Sequence, residues 1–161
     1  MINLFNIDSL LKRLKFRYPL FTVTIEHLKF LEDYTMPTAA TDGNVVLYNP
    51  NFMNKLNVHQ QLFVLAHEIS HVALNHIPRL KNREMSLWNI ATDAVINAFL
   101  VKDGLEPVEG MIFLENALDF SSEELYDHLK EAEDYIQNNV SGDPSMTDNQ
   151  HSKWGNSSNS N

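Results

Sequence analysis

The spacing of apolar residues changes several times along the chain, and each change marks an element. Leu10, Leu11 and Leu14 share one side of a helix that Asp8 or Ser9 can cap and that Tyr18-Pro19 ends. Phe21-Thr22-Val23-Thr24-Ile25-Glu26 alternates apolar and polar in the period of a strand. His27 to Tyr34 fits either a short helix or a strand. Thr41-Asp42-Gly43-Asn44 is a turn, and Val45-Val46-Leu47-Tyr48 after it reads as a strand that Asn49-Pro50-Asn51 terminates. Asn57, with Gln60 three residues on, makes a capping box for a helix over residues 58–76 that Pro78 stops. A charged loop over residues 79–84 leads to a second helix, residues 86 to about 101, apolar nearly all round and closed by Gly104. After an irregular stretch over residues 107–120, Ser121 and Glu124 form a second capping box for a helix to about residue 138. Beyond it Ser, Asn, Asp and Gly replace the aliphatic residues, too little apolar surface to offset the entropy of ordering. The pattern predicts one domain over residues 1–138 and a disordered tail over residues 139–161.

The first long helix carries the chemistry. Within Val64-Leu65-Ala66-His67-Glu68-Ile69-Ser70-His71-Val72 stands a His-Glu-x-x-His motif. Helix positions four apart lie about 40° apart on the surface, so His67 and His71 project from one face, one turn apart. Two imidazoles so placed can share a metal, and zinc suits them because it accepts neutral nitrogen ligands and keeps an open position at catalytic sites. Glu68 can reach a water there without being a ligand, as a general base. Burying two histidines and a glutamate in an otherwise apolar helix without a cation costs several kcal/mol, roughly.

Composition narrows the choice of ligands. The 161 residues contain no cysteine, which excludes disulfides and thiolate sites and leaves His, Asp, Glu or backbone oxygen. A net charge of -9 argues against a nucleic-acid binder. The basic, amphipathic residues 10–17 read as a solvated helix face docked on the domain rather than a membrane-binding element. With no secretory pattern in Met1 to Ser9 and no run of spanning length, a soluble, cytoplasmic protein without a membrane partner is expected.

A catalytic zinc usually takes three protein ligands. His76 is disfavoured, because nine residues from His67 is half a turn out of phase and points to the opposite face. Glu84 and Asp103 stand among charged or loop-forming neighbours. Asp93 is different: Asn89, Asp93 and Asn97 form a polar stripe on the apolar second helix, with no local Lys or Arg to pair with the carboxylate. His67, His71 and Asp93 are therefore the expected zinc ligands, with Asn97 or Asn89 holding the Asp93 carboxylate.

Four blocks carry a family resemblance: Thr41-Asp42-Gly43; Tyr48-Asn49-Pro50; Leu65 to His76, with His67-Glu68-Ile69-Ser70-His71 inside it; and Trp88-Asn89-Ile90-Ala91-Thr92-Asp93-Ala94-Val95-Ile96-Asn97. In that order, and with Ser122-Glu123-Glu124-Leu125-Tyr126 after them, the chain resembles the predicted zinc metallopeptidase domain of the His-Glu-x-x-His type that usually precedes a von Willebrand factor A-like domain. The resemblance spans roughly residues 18 to 130. It implies an α+β, zincin-like fold, mainly helical, with a small sheet beside the active-site helix. Its edge strand would border the cleft and hold an extended peptide, with Val45 to Tyr48 the candidate. Tyr48 and His76 are the oxyanion-stabilising candidates that the family pattern brings near. The second domain is expected to be missing, so a protein partner would take its place. The function expected is hydrolysis of peptide bonds in a peptide or protein substrate, with zinc acidifying a water to a pKa of about 7 and Glu68 relaying its proton to the leaving amine. The alternatives are a zinc-binding, non-catalytic interaction module and a metal-free helical domain.

Overall fold

The computed structural model describes residues 4–139. The boundary expected at residue 138 falls at their edge, and the expected tail, apart from Asn139, lies outside them. Helix α1 (Ile7–Arg17) is capped by Asn6 rather than by Asp8 or Ser9: the Asn6 side-chain oxygen accepts the Ser9 N–H at 3.0 Å. Asp8 then sits in the first turn, where its charge complements the helix dipole. Leu10 and Leu14 are buried while Lys12 and Arg13 face solvent, so the basic stretch is a docked helix with a solvated face.

The strand expected over residues 21–26 is instead a helix, α2 (Phe21–His27). Ile25 is its buried position, followed by the buried C-cap Leu28 and preceded by the partly covered Phe21, a spacing of i, i+4, i+7, whereas Val23 is exposed. Six residues hold too few positions to separate period 2 from period 3.6, and packing against the central helix decides for the latter. The ambiguous segment after it forms strand β1 (Lys29–Glu32), followed by β2 (Ala39–Thr41) and β3 (Val45–Tyr48).

The three strands pair in the order β1-β3-β2, with β1 parallel and β2 antiparallel to β3. Val45 to Tyr48 is thus the middle strand, paired on both sides, and not the edge strand expected of it. The β2–β3 turn is held by Asp42, whose Oδ1 accepts the N–H groups of Asn44 (2.8 Å) and Val45 (2.9 Å). Gly43 adopts φ +99° there, a conformation that a Cβ would strain. Helix α3 (Pro50–Asn54) follows, with Pro50 at its first position and Asn49 as cap.

Helix α4 (Val58–Ala73) opens on the predicted capping box, both halves of which are present. It packs against α1, α2, β2 and a later helix over residues 85–102, which is why every residue from Gln61 to Ser70 is buried. It ends earlier than Pro78. Asn75 takes a left-handed conformation (φ 55°, ψ 34°), which asparagine tolerates better than most residues, and a short helix α5 (His76–Arg79) starts in a new direction. Pro78 lies in the first turn of α5, where an N–H has no intrahelical partner to lose.

Helix α6 (Met85–Lys102) ends before Gly104 at φ +93°. After a 3-10 turn (Ala117–Asp119) comes α7 (Ser122–Asn139), with the Ser121/Glu124 capping box formed at 3.2 and 2.8 Å. Two apolar cores result. One unites α1, α2, the sheet, α3 and α4 with Ile96 and Leu100 of α6; the other joins Leu87, Trp88, Ala91 and Ala94 of α6 to Ala117, Leu125 and Tyr126. Because α6 serves both, it is apolar on nearly every side. Among the described residues no helix is long and apolar enough to cross a membrane.

Candidate metal centre

The polar seam between α4 and α6 holds the motif. His67 and His71 stand one turn apart on α4, with Nε2 atoms 3.0 Å from each other. Asp93 projects from α6 so that its Oδ1 lies 3.3 Å from Nε2 of His67 and 3.0 Å from Nε2 of His71. Each residue offers one ligand atom, and among the described residues this is the group of three or more His, Asp or Glu side chains close enough to hold an ion. The spacing suits the task. Ligands on a tetrahedral zinc with bonds of about 2.0–2.1 Å are separated by about 3.3 Å.

Electrostatics point the same way. Burial opposes a charge on His67, yet the Asp93 carboxylate beside it pushes the imidazole up to about 9. Burial alone would raise Asp93, but His67 and then His71 hold it well below the ordinary carboxylate range. The triad is therefore built around shared positive charge, supplied by a proton or by a metal. Glu68 is 3% exposed, and burial raises its carboxyl above the usual value. No hydrogen-bond partner reaches it among the described residues. A buried carboxyl left in that state is costly unless something at the site uses it.

The outer ring nitrogens are equally engaged. Nδ1 of His67 donates to Oδ1 of Asn97 at 2.7 Å, and Nδ2 of Asn97 donates to the Ile112 carbonyl at 3.0 Å. Asn97 thus orients a histidine of the triad. That hydrogen bond fixes Nε2 of His67 as the nitrogen free to ligate. Nδ1 of His71 faces Nδ1 of His76 at 3.1 Å. The expectation that His76 points away assumed one continuous helix, and the break at Asn75 brings it back, 3% exposed, against His71. Burial first, then His71 and Arg79, lower His76 to about 3, so its ring is neutral. The signal for this lay in Asn75 and Pro78, a break-and-restart pattern spanning His76.

Other candidates are not brought to the triad. Tyr48 packs edge-on against Phe5, ring centroids 5.3 Å apart, and its raised pKa comes from burial and then from Glu32 and Asp8. Glu84 pairs with Lys130, and Asp103 with Arg17 and Tyr18. Beside His71 a cavity of about 150 Å³ is lined by Asp42, Gly43, Asn44, Val72 and Asn75 among others. The β2–β3 turn therefore forms one wall of this cavity, and His71 of the triad lines it.

A family model described as "Putative metallopeptidase domain" matches residues 7–159. The chain is also similar to an uncharacterized protein of Thermotoga maritima, 29% identical over 86 residues, which are 52% of this chain. That match spans 21% of the Thermotoga protein's length, about a fifth of it. No solved structure matches the chain.

Proposed function

The chain belongs to the "Putative metallopeptidase domain" family, and on that premise we propose that it is a zinc-dependent peptidase in which His67, His71 and Asp93 hold the ion and Glu68 is the general base. The observation that carries this reading is the convergence of two Nε2 atoms and one carboxylate oxygen at separations of 3.0–3.3 Å, with both outer ring nitrogens already hydrogen-bonded. Zinc in such a site supplies a Lewis acid for the scissile carbonyl and an acidified water. Glu68 contributes the proton traffic: its buried carboxylate takes a proton from water and returns it to the leaving amine. A carboxyl raised by burial is the stronger base for that purpose. A motif helix and a ligand-bearing second helix beside a small mixed sheet support a zincin-like fold.

Substrate binding falls to β2 rather than to β3. The bonds from Asp42 N–H to the Val45 carbonyl and from Asn49 N–H to the Thr38 carbonyl set the alternation of the β2–β3 ladder. Ala39 and Thr41 then direct their N–H and C=O groups away from β3. Ala39 is 1% exposed, so an extended peptide can meet this edge at the partly exposed Thr41, next to the cavity beside His71.

The test pairs metal content with cleavage. Wild-type protein is expected to carry one equivalent of zinc and to cut members of a peptide library; Asp93→Ala loses the zinc, and Glu68→Gln keeps it without cutting. Zinc with no cleavage by the wild type moves the reading to a non-catalytic interaction module, and full zinc retention by Asp93→Ala refutes the ligand set.

A further inference from the structure

We propose that His76 is a positioning residue for the metal ligand His71 and is itself held by Ser122, so that the N-terminus of α7 orients the centre; this rests on the zinc-dependent reading above. The two Nδ1 atoms of His71 and His76 lie 3.1 Å apart, so a single hydrogen lies between them. A histidine that gives its Nε2 lone pair to a metal carries its hydrogen on Nδ1. His71 must then donate, and His76 must accept on Nδ1. A neutral His76 accepting there carries its own hydrogen on Nε2, and that atom faces the Ser122 hydroxyl oxygen at 3.4 Å. The opposite chain, Ser122 to His76 to His71, would place a hydrogen on Nε2 of His71 and close it to metal. Of the two directions, one is compatible with ligation.

The surroundings hold His76 in place for this. Its carbonyl accepts the Trp88 indole N–H at 2.8 Å, and its ring stands edge-on to that indole, centroids 6.0 Å apart. Glu123, next to Ser122, takes Arg79 of α5 through two bonds of 2.8 and 2.6 Å. Two successive residues at the start of α7 therefore grip two residues of α5. On the other side of the triad Asn97 performs the same service for His67 through its Oδ1. The comparison suggests the decisive variant, because Oδ1 of an asparagine stands at the same branch position as Nδ1 of a histidine.

Zinc affinity of the full chain, measured by competition with a chromophoric chelator, and the visible spectrum of the cobalt-substituted protein test the proposal. His76→Phe keeps the ring shape without an acceptor; it is expected to bind zinc about 10- to 100-fold more weakly and to shift the cobalt bands. His76→Asn restores the acceptor and should return both towards wild type, which a packing role alone would not do. Wild-type affinity and spectrum in His76→Phe overturn the proposal, as does a loss in His76→Asn equal to that in His76→Phe. Should His76→Phe not fold, Ser122→Ala gives the readout: a smaller loss, absent in Ser122→Thr, supports the relay, and unchanged affinity in Ser122→Ala overturns it. Absence of metal from the wild type overturns the zinc reading and this proposal together, whereas zinc bound equally by wild type and His76→Phe overturns this proposal alone.

Discussion

Asn97 does two separable jobs, and two substitutions tell them apart. It is 2% exposed, accepts from His67 at 2.7 Å and donates to the Ile112 carbonyl at 3.0 Å. Asn97→Leu has similar bulk and removes both bonds. Each orphaned buried group costs about 1–3 kcal/mol, partly offset by the apolar side chain, so a net loss of about 2–3 kcal/mol is expected. In a chain of this size that lowers Tm by about 4–12 °C. The freed His67 ring also loses its fixed tautomer, which weakens zinc binding about 10- to 100-fold. Asn97→Asp keeps the acceptor for His67 but sets a carboxylate oxygen against the Ile112 carbonyl. It should lower stability as Asn97→Leu does while leaving zinc affinity near or above wild type. Thermal unfolding of the metal-free protein reads the first quantity, and chelator competition the second. If Asn97→Leu bound zinc as tightly as wild type, the assignment of Asn97 to ring orientation would be refuted.

Three further outcomes follow from the geometry. Glu68→Gln should abolish hydrolysis by at least about 10²-fold with zinc content unchanged; because the folded state raises this carboxyl, stability of the metal-free wild type falls as pH rises through 4.5 towards the raised value, and the variant should not show that loss in pH-dependent denaturation. Arg79 holds Glu123 down to about 2, so its contribution is present above its unfolded value of 4.5 and disappears as pH falls through about 2. With both side chains a third exposed that contribution is about 1 kcal/mol, and Glu123→Gln should flatten the acid limb of urea denaturation by that amount; an unchanged limb counts against the pair. Gly43→Ala should cost about 1–3 kcal/mol in urea denaturation, since φ is +99° and the new Cβ meets Cδ1 of Ile77 at 3.2 Å; wild-type stability would show that the turn relaxes.

Long elements with caps were legible in the sequence. Asn57 with Gln60, and Ser121 with Glu124, start α4 and α7 where the capping pattern puts them, and Val45 to Tyr48 is a strand to the residue. The stripe of Asn89, Asp93 and Asn97 announced a polar face on a buried helix, and the structure turns Asp93 towards His67 and His71. Three things were hidden. Alternation over residues 21–26 looked like a strand because Val23, which faces solvent, happens to be apolar. Strand order depends on which partner arrives on which side, information that no single strand carries, so the middle position of β3 was out of reach. The role of His76 was lost to one assumption, that a helix continues until a proline, when a left-handed asparagine had already ended it.

The position of the triad follows from the division of α6 between two cores. At about 100° per residue, Asp93, Ile96, Asn97 and Leu100 fall within one arc of about 100°, and Leu87, Ala91 and Ala94 occupy the other side. The first group faces α4, with Ile96 and Leu100 in the core that α4 shares; the second faces α7. Rotating α6 enough to withdraw Asp93 would pull Ile96 and Leu100 out of one core and expose Leu87 and Ala91 from the other. The apolar residues thus set the angle at which the carboxylate meets two imidazoles. The polar seam contributes differently. Its buried groups cost free energy individually, and each pairing made across it, His67 with Asn97 and both histidines with Asp93, is satisfied at one rotation of α6 against α4. Stability therefore comes from the cores on either side, and the seam between them is where the molecule can hold reactive groups in a fixed geometry without relying on them to fold.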